Sequence, residues 1–140
     1  MQSPLGLMVG VLVGAYAVLV AALVGSFINL AADRVPRGES VVRPRSRCRS
    51  CGRVLNIVDL IPVAGYLIRR GRCATCGVQI GASSPLIEGL CALAMLMAIS
   101  LLGLARGAAV GFAAVALIGA IWVGTSVARA PIRRGGSRLG

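Results

Sequence analysis

Three stretches of this chain are too apolar and too free of charge for a water-facing fold, and everything else must be arranged around them. Residues 4–30, PLGLMVGVLVGAYAVLVAALVGSFINL, carry no charged side chain. At about 1.5 Å per residue, a helix of that length crosses a hydrocarbon core of ~30 Å. Residues 85–105 carry only Glu88, next to the start, and 107–128 carry no charge. With 57% hydrophobic residues and a mean hydropathy of +0.88, the 140-residue chain lies outside the range of soluble domains. The expected fold is an all-α membrane protein with three spanning helices. The break LARG (104–107) has room only for a tight hairpin, so the second and third spans are expected to be antiparallel.

The net charge of +11 is distributed by topology rather than gathered into a nucleic-acid footprint. All fifteen basic residues are arginine; ten lie within 33–84, four follow residue 128, and Arg106 alone sits at the hairpin. If loop and tail share one face, the positive-inside rule makes that face cytoplasmic. The chain is then a multi-pass protein of the plasma (inner) membrane with its N-terminus outside and the 33–84 loop and C-terminus inside. The first apolar run lacks a basic n-region, so it is expected to be a retained anchor. The organisation expected is a first transmembrane helix (1–32), a cytoplasmic domain (33–84), and two transmembrane helices with a basic tail (85–140). The tail, ARAPIRRGGSRLG, reads as a disordered end.

Within the polar loop the chain writes Arg-Cys-x-x-Cys-Gly twice, as RCRSCG (47–52) and RCATCG (72–77). Cys48 and Cys51 are separated from Cys73 and Cys76 by residues 52–72, one residue beyond the usual spacing of a four-cysteine zinc site. Two such turns can aim four thiolates at one tetrahedral ion, and Gly52 and Gly77 permit the tight backbone. A closed four-sulfur shell leaves no position for a reacting water, which makes the expected Zn2+ structural. A redox or disulfide pair and unliganded thiols are the alternatives; a reducing cytosol disfavours disulfides. The expectation is a small zinc-ribbon-like loop domain on the cytoplasmic face. Cys91, inside the second span, reads as a small packing residue.

Between the knuckles, NIVDLIPVAGYLIRRG suggests a helix of about twelve residues capped by Asp59 and closed by Gly71, too short to span and suited to the membrane interface. At the start of the second span, Ser84 is a plausible N-cap with Pro85 at the first helical position. Glu88 either serves the positive helix end or makes a functional polar contact at the edge of hydrocarbon, and it is the candidate catalytic residue. Asn29 presents the same choice at the end of the first span. Gly6, Gly10 and Gly14 in the first span, and Gly107 and Gly111 in the third, recur at the spacing that lets helices approach closely, and mark where a membrane partner would bind.

Taken together, GSFINLAADRVPRGESVV, SRCRSCG, DLIPVAGYL, RGRCATCG and SPLIEGLCAL resemble, in this order, the N-terminal region of the prepilin leader peptidases. These are membrane enzymes that cleave prepilin leaders and N-methylate the new N-terminus. The resemblance covers about residues 25–95. Gly25, Ser26, Asn29, Arg34, Pro36, Glu39, the four cysteines, Asp59, Pro62, Pro85 and Glu88 match the family pattern by position; the resemblance marks Asn29, Arg34 and Glu39 for substrate contact. It also implies, without any nucleotide loop to support it, S-adenosylmethionine as a cofactor. Where many relatives have Arg-Tyr before the proline, this chain has Ser83-Ser84.

The family's proteolysis resembles intramembrane aspartyl catalysis with two aspartates on later helices, one in Gly-x-Gly-Asp. The aspartates here are Asp33 and Asp59, both upstream, and no Gly-x-Gly-Asp occurs in these 140 residues. Peptidase activity from this sequence alone is therefore not expected. The expected function is a free-standing module in prepilin or pseudopilin maturation, in N-methylation or in support of a separately encoded aspartyl peptidase. A non-catalytic zinc-ribbon scaffold for partner or substrate docking is the alternative, and a decayed remnant the third reading.

Overall fold

A computed structural model describes residues 3–43 and 45–130. Its frame is three long helices: α1 (Pro4–Arg34), α3 (Ser83–Leu102) and α4 (Leu104–Arg129), with a five-residue helix α2 (Ala64–Ile68) in the connecting segment. All three long helices are long and apolar enough to cross a membrane. α1 starts where Ser3 Oγ accepts the Gly6 N–H at 3.2 Å, with Pro4 at the first helical position. The expected disordered tail falls largely on 131–140, outside the described residues.

The three helices pack against one another pairwise, and each pair meets at a glycine. A Cβ on Gly25 of α1 would lie 3.0 Å from Glu88 Cα and Ile87 O of α3. One on Gly111 of α4 would lie 2.5 Å from Met95 Sδ of α3, and one on Gly119 2.9 Å from Ile28 Cδ1 of α1. Around these contacts sits a core of Ala17, Ala21, Ile28, Ile87, Cys91, Met95 and Val115, flanked by Trp122 and Val123. Outward, Leu5, Leu12, Tyr16, Leu93, Leu101 and Leu117 are exposed, the inside-and-outside apolarity of helices that face lipid. Cys91 is a packing residue against Gly25, as its sequence context suggests.

Several local expectations are corrected. The reversal between α3 and α4 takes a single residue, Gly103, at φ 78°, ψ 170°, a region essentially confined to glycine. The LARG segment is instead the first turn of α4, with the Gly107 N–H on Gly103 O at 2.8 Å. Gly107 packs on Ala98 and Ile99 of α3, so Gly107 and Gly111 are consumed inside the bundle rather than offered to a partner. Ser84 is not an N-cap: α3 begins at Ser83 with Ala82 before it, because the Ser84 hydroxyl donates to Glu88 one turn on. The helix expected over 59–70 splits into a 3-10 turn, Val58–Leu60, and α2. Ile61 precedes Pro62 and is driven into the extended region at φ −66°, ψ 121°, which interrupts the helix.

Candidate metal centre and adjoining cavity

Each Cys-x-x-Cys is the tip of a minimal hairpin. In the first, Arg47 and Val54 form an isolated antiparallel bridge, the Cys48 N–H donates to Arg53 O at 2.8 Å, and the Gly52 N–H closes on Cys48 O at 2.9 Å. In the second, Arg72 bridges Gln79, the Cys73 N–H donates to Val78 O at 2.9 Å, and the Gly77 N–H closes on Cys73 O at 3.0 Å. Gly52 and Gly77 both adopt positive φ, at 73° and 67°. The backbone is thus a structural repeat, and the two tips face each other.

The four Sγ atoms lie within 4.8 Å of one another, with Cys48–Cys76 at 3.8 Å and Cys51–Cys73 at 3.9 Å. A disulfide requires about 2.05 Å, so these are free thiols. A tetrahedron of thiolates about 2.3 Å from a central ion has edges of about 3.8 Å, and the close pairs match it. Backbone donors prepare the thiolates. The N–H groups of Cys51 and Ser50 lower the Cys48 thiol, and those of Cys76 and Thr75 lower Cys73 to about 6. At Cys51 the Arg53 N–H favours the thiolate, but desolvation and the facing thiols outweigh it and push the group up to about 11. Four thiols crowded around one point resist ionising together until a cation sits among them. The donor set fits a metal ion between the two hairpins, with zinc the ion its four sulfurs suit.

Three of the four acidic residues tie this module to the helices or to itself. Asp33, at the end of α1, pairs with Arg37 at 2.5 Å and with Arg49, which lies between the first two cysteines. Asp59 accepts the Asn56 N–H at 3.0 Å and binds both Arg53 and, at 2.7 Å, Arg69. That backbone bond and the two guanidiniums hold its carboxyl below the ordinary 3.8. Asp59 is therefore an ion-pair hub and not the cap of a long helix. Glu88 is buried, 5% exposed, and both its oxygens are engaged: Oε1 by Ser84 Oγ at 2.8 Å, Oε2 by the Val63 N–H at 2.6 Å. Val63 has φ 55°, ψ −51°, and the Ala64 N–H closes on Pro62 O across it, a γ-turn of the rarer, strained kind.

Between the module and the ends of the long helices lies a cavity of about 650 Å3. It is lined by Ser26 and Asn29 of α1, Ser84 and Glu88 of α3, Trp122 and Ser126 of α4, and by Cys48, Asp59, Arg69 and Cys73 of the module. Of the residues singled out in the sequence, Ser26, Asn29, Asp59, Ser84, Pro85, Glu88 and two of the cysteines meet on this cavity. Arg34 and Glu39 lie elsewhere. Arg34 is buried, donating to Ser40 O at 2.9 Å, and borders a second groove with Leu30, Arg45, Ile57 and Leu60; the side chain of Glu39 is exposed. Sequence reasoning missed the contribution of α4. The available signal was Trp122 followed by Thr125 and Ser126, whose hydroxyls donate to Trp122 O at 3.0 and 2.8 Å.

Comparison with known proteins bears directly on this arrangement. The chain is 51% identical over 65 residues to the prepilin leader peptidase/N-methyltransferase of Myxococcus xanthus, covering 46% of this chain and 19% of that protein. It is 38% identical over 66 residues to the Bacillus subtilis protein of that name, covering 47% and 27%. It is also 35% identical over 94 residues to the type 4 prepilin-like proteins leader peptide-processing enzyme of Escherichia coli, covering 54% and 35%. The chain thus spans well under half the length of these relatives. No solved structure matches it. The family model of the Bacterial Peptidase A24 N-terminal domain matches residues 19–102, which hold the end of α1, both hairpins, Glu88 and the whole of α3; the chain belongs to that family.

Proposed function

We propose that this chain acts in prepilin or pseudopilin maturation, as the membrane module that holds substrate at the boundary of the bilayer while a separately encoded aspartyl peptidase removes the leader. The observation that supports it best is the position of the cavity: a four-thiol module of this family closes over polar side chains drawn from all three long helices. A segment emerging from lipid needs such partners for its backbone, because unpaired N–H and C=O groups are costly there. The proposed metal is zinc, bound by Cys48, Cys51, Cys73 and Cys76, and it supplies rigidity rather than a reacting water. Asn29, on the cavity, is the proposed substrate contact, with Arg34 and Glu39 acting on the flanking segment; Glu88 shapes the cavity. S-adenosylmethionine as methyl donor is carried by the family resemblance alone; the relatives' names give only N-methyltransferase.

Asp33 and Asp59 are poor candidates for a proton-sharing acid pair, since each is held as a carboxylate by two arginines. The test follows. Purified protein should leave a prepilin leader uncut, and adding an aspartyl peptidase deprived of its own cysteine module should give cleavage or N-methylation, read by mass of the pilin. Both should be lost on Cys48→Ser or Cys73→Ser. Cleavage by this chain alone, abolished by Asp33→Asn or Asp59→Asn, would overturn the reading.

A further inference from the structure

The connecting segment exposes apolar side chains that neither the bundle nor the metal centre uses. Ile57 is 84% exposed, Leu67 66% and Ile68 59%, in a region otherwise rich in charge. Their height relative to the membrane is set by two contacts. Ile57 and Leu60 border the groove of about 490 Å3 shared with Leu30 and Arg34, where α1 passes from its charge-free run to its first charges. Six residues on, the Val63 N–H rests on Glu88, where α3 enters its own charge-free run. Residues 57–68 therefore run between the points at which two spans leave the apolar region. Gly65 packs against the Val58 and Asp59 carbonyls, folding α2 back on the 3-10 turn and keeping Leu67 and Ile68 within the same short stretch.

Cations flank this stretch. Arg45 borders the groove beside Ile57, and Arg70 lies two residues beyond the end of α2; both are exposed and neither belongs to an ion pair among the described residues. Apolar side chains at the boundary with unpaired arginines beside them match the chemistry of an anionic headgroup layer: alkyl groups enter the upper acyl region while guanidiniums meet phosphates.

We propose that residues 57–68 seat the four-cysteine module on the headgroup layer of an anionic leaflet, with Ile57, Leu67 and Ile68 inserted and Arg45 and Arg70 binding lipid phosphate. This stands independently of any role in prepilin processing. Seating would fix the tilt of the module over its cavity and make that tilt depend on lipid charge.

Fluorescence of a single tryptophan tests it. The chain has one, Trp122, so the full-length Trp122→Phe, Ile68→Trp protein carries a lone reporter in α2; Leu67→Trp in the same background gives a second if the first fails to fold. Reconstituted in vesicles of phosphatidylglycerol and phosphatidylcholine, the reporter should emit at short wavelength, be shielded from acrylamide, and be quenched by lipids brominated in the acyl chain. Quenching should be roughly twofold or more stronger than in phosphatidylcholine alone, with high salt or Arg45→Gln, Arg70→Gln removing the difference. Free access of acrylamide in both vesicles would overturn the proposal. So would shielding without bromolipid quenching, which would mean that a second copy or another protein covers the patch, and so would equal quenching in the two vesicles.

Discussion

Val63 is a β-branched residue in a backbone region that such residues avoid, at a cost of about 1–3 kcal/mol. Its N–H is held by a buried carboxylate on another helix, so the strain and the contact with Glu88 belong together. Glu88→Ala leaves the Val63 N–H and the Ser84 hydroxyl without their acceptor. It should destabilise the module by about 2–3 kcal/mol, while Glu88→Gln, which keeps one acceptor oxygen, should cost less. Val63→Gly should relieve the turn, and the loss caused by Glu88→Ala should be smaller in that background; thermal unfolding of the four variants measures the coupling. Asp59 gives a pH dependence of determined sign. Its folded carboxyl titrates below 3.8, so its stabilisation is complete above the ordinary carboxylate range and is lost as pH falls through the lowered value. In metal-free protein, Asp59→Asn should flatten that acid limb of the unfolding curve. At this scale the sequence named the right residues and not their partners. Glu88 stood out as an acid at the hydrocarbon edge, and Asp59 as a cap. That one would hold a backbone amide of the preceding loop and the other two arginines depends on how the loop folds back, which no local pattern encodes.

The long helices were legible as elements because absence of charge over a bilayer's thickness is a strong signal, whereas their ends and crossings were not. Gly103 looked like one glycine among many, and LARG looked like the break because it held the charge; the reversal is set by backbone conformation, which charge does not report. Gly103→Ala should cost about 1–3 kcal/mol and broaden the α3–α4 connection. Gly25→Leu should be worse, since even a Cβ there meets the backbone of Glu88 and Ile87 at 3.0 Å; it should part α1 from α3 and move Glu88 with it. Loss of protease resistance in detergent, with α3 intact by circular dichroism, would report that separation. The hairpins were legible from Cys-x-x-Cys-Gly, because only a tight turn brings both thiols to one side. Freshly reduced protein should carry about one zinc, and Cys48→Ser or Cys73→Ser should release it and expose the segment between the hairpins to exchange. Metal-free wild-type protein with unchanged exchange would refute a structural ion.

For the molecule as a whole, composition announced a membrane protein and charge asymmetry proposed an orientation, but the cavity beneath the module could not be read. It needs Ser26 and Asn29, Ser84 and Glu88, Trp122 and Ser126 brought to one level by three helix crossings, each set by a glycine whose neighbour lies on another helix. A reporter fused after Ala130 and thiol labelling of the 33–84 segment should place both on the cytoplasmic side; activity of a periplasmic reporter at that position would reverse the three-span topology. The single-residue reversal at Gly103 has a consequence for biogenesis. With a single connecting residue, α3 and α4 are suited to enter the bilayer together as a helical hairpin. A pair entering as a helical hairpin ties the orientation of the third span to that of the second, and with the 33–84 segment on the cytoplasmic side, as the charge asymmetry proposes, Arg106 would be carried across at the tip.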